Sequence, residues 1–160
     1  MTGAVCSAPS ARDRCSSLFS HAIAHAIARP PAPSYVDGIT TADLGRPELA
    51  LALRQHAAYV QALRDCGLEV TVLEPAPAFP DACFVEDCAL LTERGAVLTR
   101  PGAETRRGEA ELIEPEIADR FEQLAFIEAP GTLDAGDVLQ VGDHFFVGLS
   151  ARTNRAGADQ

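Results

Sequence analysis

The chain has 160 residues, 47% hydrophobic and 22% charged, with a formal net charge of −10 at pH 7, enough for one domain with its own core. The acidic balance argues against a nucleic-acid partner, which rewards Lys and Arg, and no apolar run approaches the roughly 20 residues of a membrane span. The cysteines (Cys6, Cys15, Cys66, Cys83, Cys88) are odd in number and lack CxxC spacing, which argues against a disulfide framework or zinc site and for a reducing, cytoplasmic compartment.

Residues 1–18 are small and polar, and a disordered leader is expected over 1–20, ahead of one domain over 21–160. No signal peptide is read, because no apolar segment precedes Arg12 and Arg14. HAIAHAIAR at 21–29 repeats a HAIA unit. His21 and His25 have a helical metal-binding spacing, but alternation and the following prolines make the second copy a strand. Residues 30–45 form a long Pro/Gly/Asp/Thr loop, a type that often serves as a lid.

Residues 46–67 read as a helix, with Pro47 at N1, Gly67 as the stop, and Leu49, Leu53, Ala57, Val60 and Leu63 as the apolar face. LEVTVLEP at 68–75 is a strand. The runs 82–92 and 95–100 form a hairpin around Glu93, Arg94 and Gly95. Residues 101–124 are a turn and a helix that Pro115 should kink or divide. AFIEAP is a short strand, and 137–150 is a hairpin turning at Gly142 and Asp143. ARTNRAGADQ opens a helix capped by Thr153 or Asn154 and stops within two turns, as if cut off mid-element. Hairpins mixed with crossovers argue against a purely parallel Rossmann sheet, and no GxGxxG or Walker A sequence signals a phosphate cradle.

FPDACFVEDCALL at 79–91 reads as a buried strand, yet it carries Asp81, Glu86 and Asp87. Buried carboxylates need cationic partners. Arg100, Asp134, Asp137 and Arg152 also interrupt apolar or turn segments. Several carboxylates with two arginines suit a ligand bearing both charges. Internal salt bridges, such as Asp87 with Arg100, are the plainer alternative. On a regular strand Glu86 and Asp87 face opposite sides.

FPDACFVEDCALL, VLTRPGAETRRGE, GTLDAGDV and FFVGLSARTN resemble, in order and interval, dimethylarginine dimethylaminohydrolase, as do HAIAR, VDGIT and RQHAAYVQAL. The resemblance covers about residues 23–160. It implies a guanidino-group-modifying enzyme with a pentein-type α/β propeller of ββαβ-like units in a pseudo-fivefold arrangement, here incomplete. The implied reaction takes N-methylated arginine to citrulline and methylamine or dimethylamine through a covalent cysteine intermediate, with no metal or other cofactor. The implied partner is a small guanidino compound, with self-association possible. By the same resemblance Ile39 contacts substrate, and Asp81 helps hold its amino-acid end. Glu86 and Asp87 form the acidic pair, Asp87 meeting the guanidinium. Arg100 and Arg152 bind the α-carboxylate, and Asp134 lies near the guanidinium.

The family's nucleophile is a late cysteine, and its general acid/base is a histidine beyond SARTN. No residue here matches either, so the chain is expected to be an N-terminal portion that binds without turnover. Cys83, two residues from Asp81, is the only substitute nucleophile, and an anionic neighbourhood should suppress its thiolate. A non-catalytic arginine-binding module is the alternative, as is a related arginine or agmatine deiminase or an amidinotransferase.

Overall fold

The computed structural model describes residues 24–160; the expected leader and His21 lie outside them. The elements follow the expected order. They are β1 (His25–Ala28), α1 (Leu49–Asp65), β2 (Glu69–Val72), β3 (Ala89–Thr92), β4 (Gly95–Leu98), α2 (Glu109–Ala118), β5 (Leu124–Phe126), β6 (Val138–Val141), β7 (His144–Val147) and α3 (Arg155–Ala158).

Each parallel pair is joined by a helix, as a crossover requires. β1 pairs with β2, His25 opposite Glu69. β4 pairs with β5, Ala96 opposite Leu124. The hairpins β3–β4 and β6–β7 are antiparallel, closing at Thr92 opposite Gly95 and Val141 opposite His144. One complete ββαβ unit, β3–β4–α2–β5, therefore stands between two smaller sheets. The described residues do not close a ring.

The period of two along β4 determines the core. Ala96 and Leu98 face Ala110, Ile113 and Ile117 of α2. Val97 faces the other way, towards Leu133, Ala135, Val138 and Val147. β4 is thus covered on both faces, and it joins the β6–β7 hairpin to the rest.

Three expectations need correction. Residues 79–88 are not a strand: successive turns lead into a short 3-10 helix, Val85–Asp87, and only Ala89–Thr92 pairs. The amides of Phe84, Asp87 and Cys88 bond back to the carbonyls of Asp81, Phe84 and Val85, so local turns outcompete a ladder. Next, α1 starts at Leu49 with Glu48 as its cap, leaving Pro47 outside. Leu53 and Ala57 face solvent, while Ala52 and His56 are partly buried with Leu49 and Leu63 around Val60. Finally, α2 runs undivided through Pro115.

Gly67 ends α1 as expected, at φ +90°. Its amide bonds to Arg64 O and that of Leu68 to Leu63 O, a Schellman motif that satisfies two terminal carbonyls.

Candidate functional site

The turn at 79–88 sends Glu86 and Asp87 in different directions, as a strand would, and it also carries Asp87 to Arg106. Glu86 is exposed on a groove of about 830 Å³, which it lines with Phe84, Tyr35 and His56. Asp87 turns inward, its side chain 13% exposed, to meet Arg106. Phe79 lies over Gly108, where a Cβ would fall 2.5 Å from the ring. This contact seats the turn on the entrance to α2, beside Arg106.

Arg106 is the hub. Its Nη1 donates to Asp87 Oδ2 at 2.7 Å and stands 4.0 Å from Asp134 Oδ2. Its Nε and Nη2 both donate to Glu109 Oε2, at 2.9 and 2.7 Å. Nη2 also reaches the carbonyls of Phe84 and Asp81. Burial alone would lower the pKa of this guanidinium, but the bonds from Glu109 and Asp87 more than offset it and hold the pKa above its ordinary value. Burial is the largest influence on Glu109 and pushes its carboxyl up; Arg106 pulls it back only in part.

Asp134 is fully buried. Its Oδ1 accepts the Gly102 amide at 3.0 Å. Its Oδ2 lies 3.1 Å from Arg152 Nε, an ion pair, yet receives no aligned hydrogen bond. Arg152 is half exposed and held by the turn at 150–153. Ser150 Oγ accepts the amides of Arg152 and Thr153, and Asp137 Oδ2 accepts both the Ser150 and Thr153 hydroxyls. Burial would raise the pKa of Asp137, but these hydroxyls and the Arg152 charge outweigh it, so its carboxyl lies below the usual range.

Asp81 is buried, and both its oxygens accept the Ile39 amide, at 3.1 and 3.2 Å. It thereby pins the 30–45 loop to the turn, with the Ile39 side chain exposed above.

The structure brings Asp87, Asp134 and Arg152 together, with Asp81 joined through its carbonyl to Arg106. It does not bring Arg100 or the Glu86 side chain to this cluster. Arg100 bridges Leu133 and donates to Gly131 O at 3.1 Å. Its neighbour Thr99 bonds to the Asp87 carbonyl. Thr99 and Arg100 both line a cavity of about 300 Å³, with Arg107 and Glu111. Asp87 pairs with Arg106, not with Arg100 across the hairpin. Arg106 and Glu109 were missed by sequence reasoning. The signal was present as RRGE, an Arg–Glu pair at i,i+3 opening a helix.

Neither described cysteine near the site is activated. Cys83 is pushed up to about 11, burial first and the Asp81 charge second. The direction is the one expected, although desolvation rather than the anionic neighbourhood leads. Cys88 is pushed up to about 12 by burial and then by Glu109. Among the described residues no group of His, Cys, Asp and Glu is arranged to hold a metal ion, and no helix is long and apolar enough to cross a membrane.

The family described as "N,N dimethylarginine dimethylhydrolase, eukaryotic" matches residues 45–160. The dimethylarginine dimethylaminohydrolase of Pseudomonas aeruginosa is 56% identical over 138 residues, 85% of this chain and 54% of that protein. The Streptomyces coelicolor protein of the same name is 41% identical over 84% of this chain and 53% of its own length. A solved Pseudomonas aeruginosa structure, a cysteine-to-serine mutant complexed with citrulline, superposes with a TM-score of 0.84 at 53% identity, over 86% of this chain and 54% of that one. The N-terminal domain of an arginine dihydrolase, at 21% identity and TM-score 0.72, shares the fold. These likenesses bear out the expected α/β propeller class, and the chain spans about half the length of the curated relatives it matches. With the family match over 45–160 and these identities, the chain belongs to the dimethylarginine dimethylaminohydrolase family.

Proposed function

We propose that this chain supplies the guanidinium-holding wall of a dimethylargininase, which converts N-methylated arginine to citrulline and methylamine or dimethylamine through a covalent cysteine intermediate. The observation that carries this reading is Asp134 Oδ2, a buried carboxylate oxygen with no aligned donor. Leaving such an atom unbonded costs about 1–3 kcal/mol or more, and a ligand guanidinium would remove that cost. The charge balance agrees. Among the described residues of the cluster, the carboxylates of Asp87, Asp134 and Glu109 face the guanidiniums of Arg106 and Arg152, which leaves one excess negative charge for a ligand. A carboxylate–guanidinium contact at about 4 Å contributes about 4 kcal/mol at an effective dielectric near 20, before desolvation.

In this reading Asp87 and Asp134 hold the guanidinium. Arg152, half exposed, offers its remaining donors to the ligand carboxylate. Ile39 and Asp81 shape the loop over the amino-acid end, and Glu86 adds negative charge from the groove side. Arg100, bonded to the Gly131 carbonyl, lies outside this cluster and takes no part in the reading. Relatives solved with citrulline or as an adduct with S-methyl-L-thiocitrulline support a small arginine-like ligand.

The 160-residue chain itself binds without turnover. Cys83 and Cys88 titrate far above neutrality, and binding ground and transition states equally gives no acceleration. The free cysteines at 66, 83 and 88 support a reducing, cytoplasmic setting. Titration calorimetry with Nω,Nω-dimethyl-L-arginine tests the reading. Asp134→Asn keeps the shape and the Gly102 bond but should weaken binding roughly 10- to 100-fold, the value of a hydrogen bond to a charged group. Equal affinities for Asn variant and parent reject it.

A further inference from the structure

The pairing of Arg106 is lopsided. One oxygen of Glu109, Oε2, takes both Nε and Nη2, while Oε1 is buried and receives no hydrogen bond. The Glu109 side chain is only 1% exposed and the Arg106 side chain 5%. With Nε and Nη2 held on one side, and Nη2 further bound by the carbonyls of Phe84 and Asp81, Nη1 is the single nitrogen turned towards Asp87 and Asp134.

We propose that Glu109 is a positioning residue that takes up the charge of Arg106, so that Asp87 and Asp134 keep theirs for a cationic ligand. This rests on the reading of the Asp87–Asp134 cluster as a guanidinium site. Glu109 itself lies behind Arg106 and touches no ligand in that reading. The physical logic is competition. A guanidinium this buried must find anionic partners. Nη1 already stands 4.0 Å from Asp134 Oδ2. Were Glu109 neutral, Arg106 would draw closer to both aspartates and, with Arg152, cancel their charge. With Glu109 ionised, the cluster retains one excess negative charge.

A purely structural role and this role predict different results. If Glu109 only supports the fold, its loss weakens all ligands alike. If it frees the aspartates, its loss weakens a cation far more than a neutral isostere. Nω,Nω-dimethyl-L-arginine and L-citrulline supply that contrast, because the ureido group of citrulline is uncharged.

The experiment is titration calorimetry of the full 160-residue chain and of Glu109→Gln with both ligands, beside ¹⁵N NMR of the arginine Nε–H groups. Glu109→Gln should lose about 10-fold or more in dimethylarginine affinity, the weight of one charge-assisted hydrogen bond, and under about 3-fold for citrulline. Glu109→Asp should recover part of the cation affinity. The Arg106 Nε–H resonance, assigned by its loss in Arg106→Lys, should shift and lose protection from exchange in the Gln variant. Equal losses for the two ligands overturn the proposal, as does a dimethylarginine affinity that does not change. If the parent binds neither ligand, the guanidinium-site reading fails, and Glu109 is then judged by NMR alone. An unshifted, protected Arg106 Nε–H in Glu109→Gln overturns its role. If the Gln variant does not fold, the Asp variant supports the proposal only if it shows the same cation-selective loss in milder form.

Discussion

Asp137 Oδ2 accepts the Thr153 hydroxyl at 2.6 Å, and Thr153 Oγ1 in turn accepts the Asp134 amide at 3.2 Å. One side chain thus joins the LDAGD and SARTN segments and sets the turn that presents Arg152. Asp137→Ala should cost about 1–2 kcal/mol of stability, the low end for bonds to a charged group at a partly exposed site. It should also weaken ligand binding through Arg152. Because the folded pKa of Asp137 lies below its ordinary value, its stabilisation is present above that ordinary value and is lost as pH falls through the folded one. Urea unfolding between pH 6 and 3 should therefore decline less steeply for Asp137→Asn than for the parent. Parallel curves refute this.

Gly136 is a steric test of Asp87. A Cβ there would sit 2.5 Å from Asp87 Oδ1, with no other side chain or backbone atom so close. Its φ is not positive, so alanine meets no backbone strain. Gly136→Ala should displace the carboxylate, lowering stability by about 1–3 kcal/mol and weakening dimethylarginine binding roughly 10-fold. Unchanged affinity would show that Asp87 does not meet the ligand.

Thiol labelling separates the described cysteines. At pH 8 a thiol titrating near 11 is about one part in a thousand thiolate. Iodoacetamide should modify exposed Cys66 first, with Cys83 slow and buried Cys88 slowest. Peptide mass mapping over time reads the order. Early labelling at Cys83 would reopen its candidacy as a nucleophile.

Gly67→Ala isolates backbone cost. The site has φ +90° and open space around it, so no clash contributes. The variant should lose about 1–2 kcal/mol, the left-handed penalty of a residue with a Cβ, measured by chemical denaturation. A neutral result would mean that the Schellman turn is not populated in solution.

The elements that announced themselves in sequence are those governed by neighbours. HAIA alternates, GD turns the second hairpin, Gly67 stops α1, and Asn154 caps α3 by accepting the Gly157 amide at 2.8 Å. The α1 face was misread because Leu53 is more apolar than His56, yet packing partly buries the histidine and exposes the leucine. Residues 79–88 look apolar enough for a strand, but their amides are consumed locally. Among the site carboxylates, Asp87 and Asp134 were legible as charges that interrupt apolar or turn segments. Arg106 was not. It stands in a run of charged residues that reads as a solvated surface, and its partner Asp87 lies 19 positions away. Only the fold shows that it is buried.

The two parallel pairs have a kinetic consequence. Thr92 meets Gly95 across two residues, whereas His25 meets Glu69 only after the 30–45 loop and all of α1 are in place. Each doubling of a closed loop costs about 0.6 kcal/mol of chain entropy, so β1–β2 closure starts roughly 2 kcal/mol behind the hairpin. The middle unit should nucleate and the first sheet should dock last. In pulsed hydrogen exchange during refolding, amides of β3 and β4 should gain protection before those of β1 and β2, and simultaneous protection would refute the order. The loop that Asp81 pins through Ile39 should then settle only after the turn that carries Asp81 has formed.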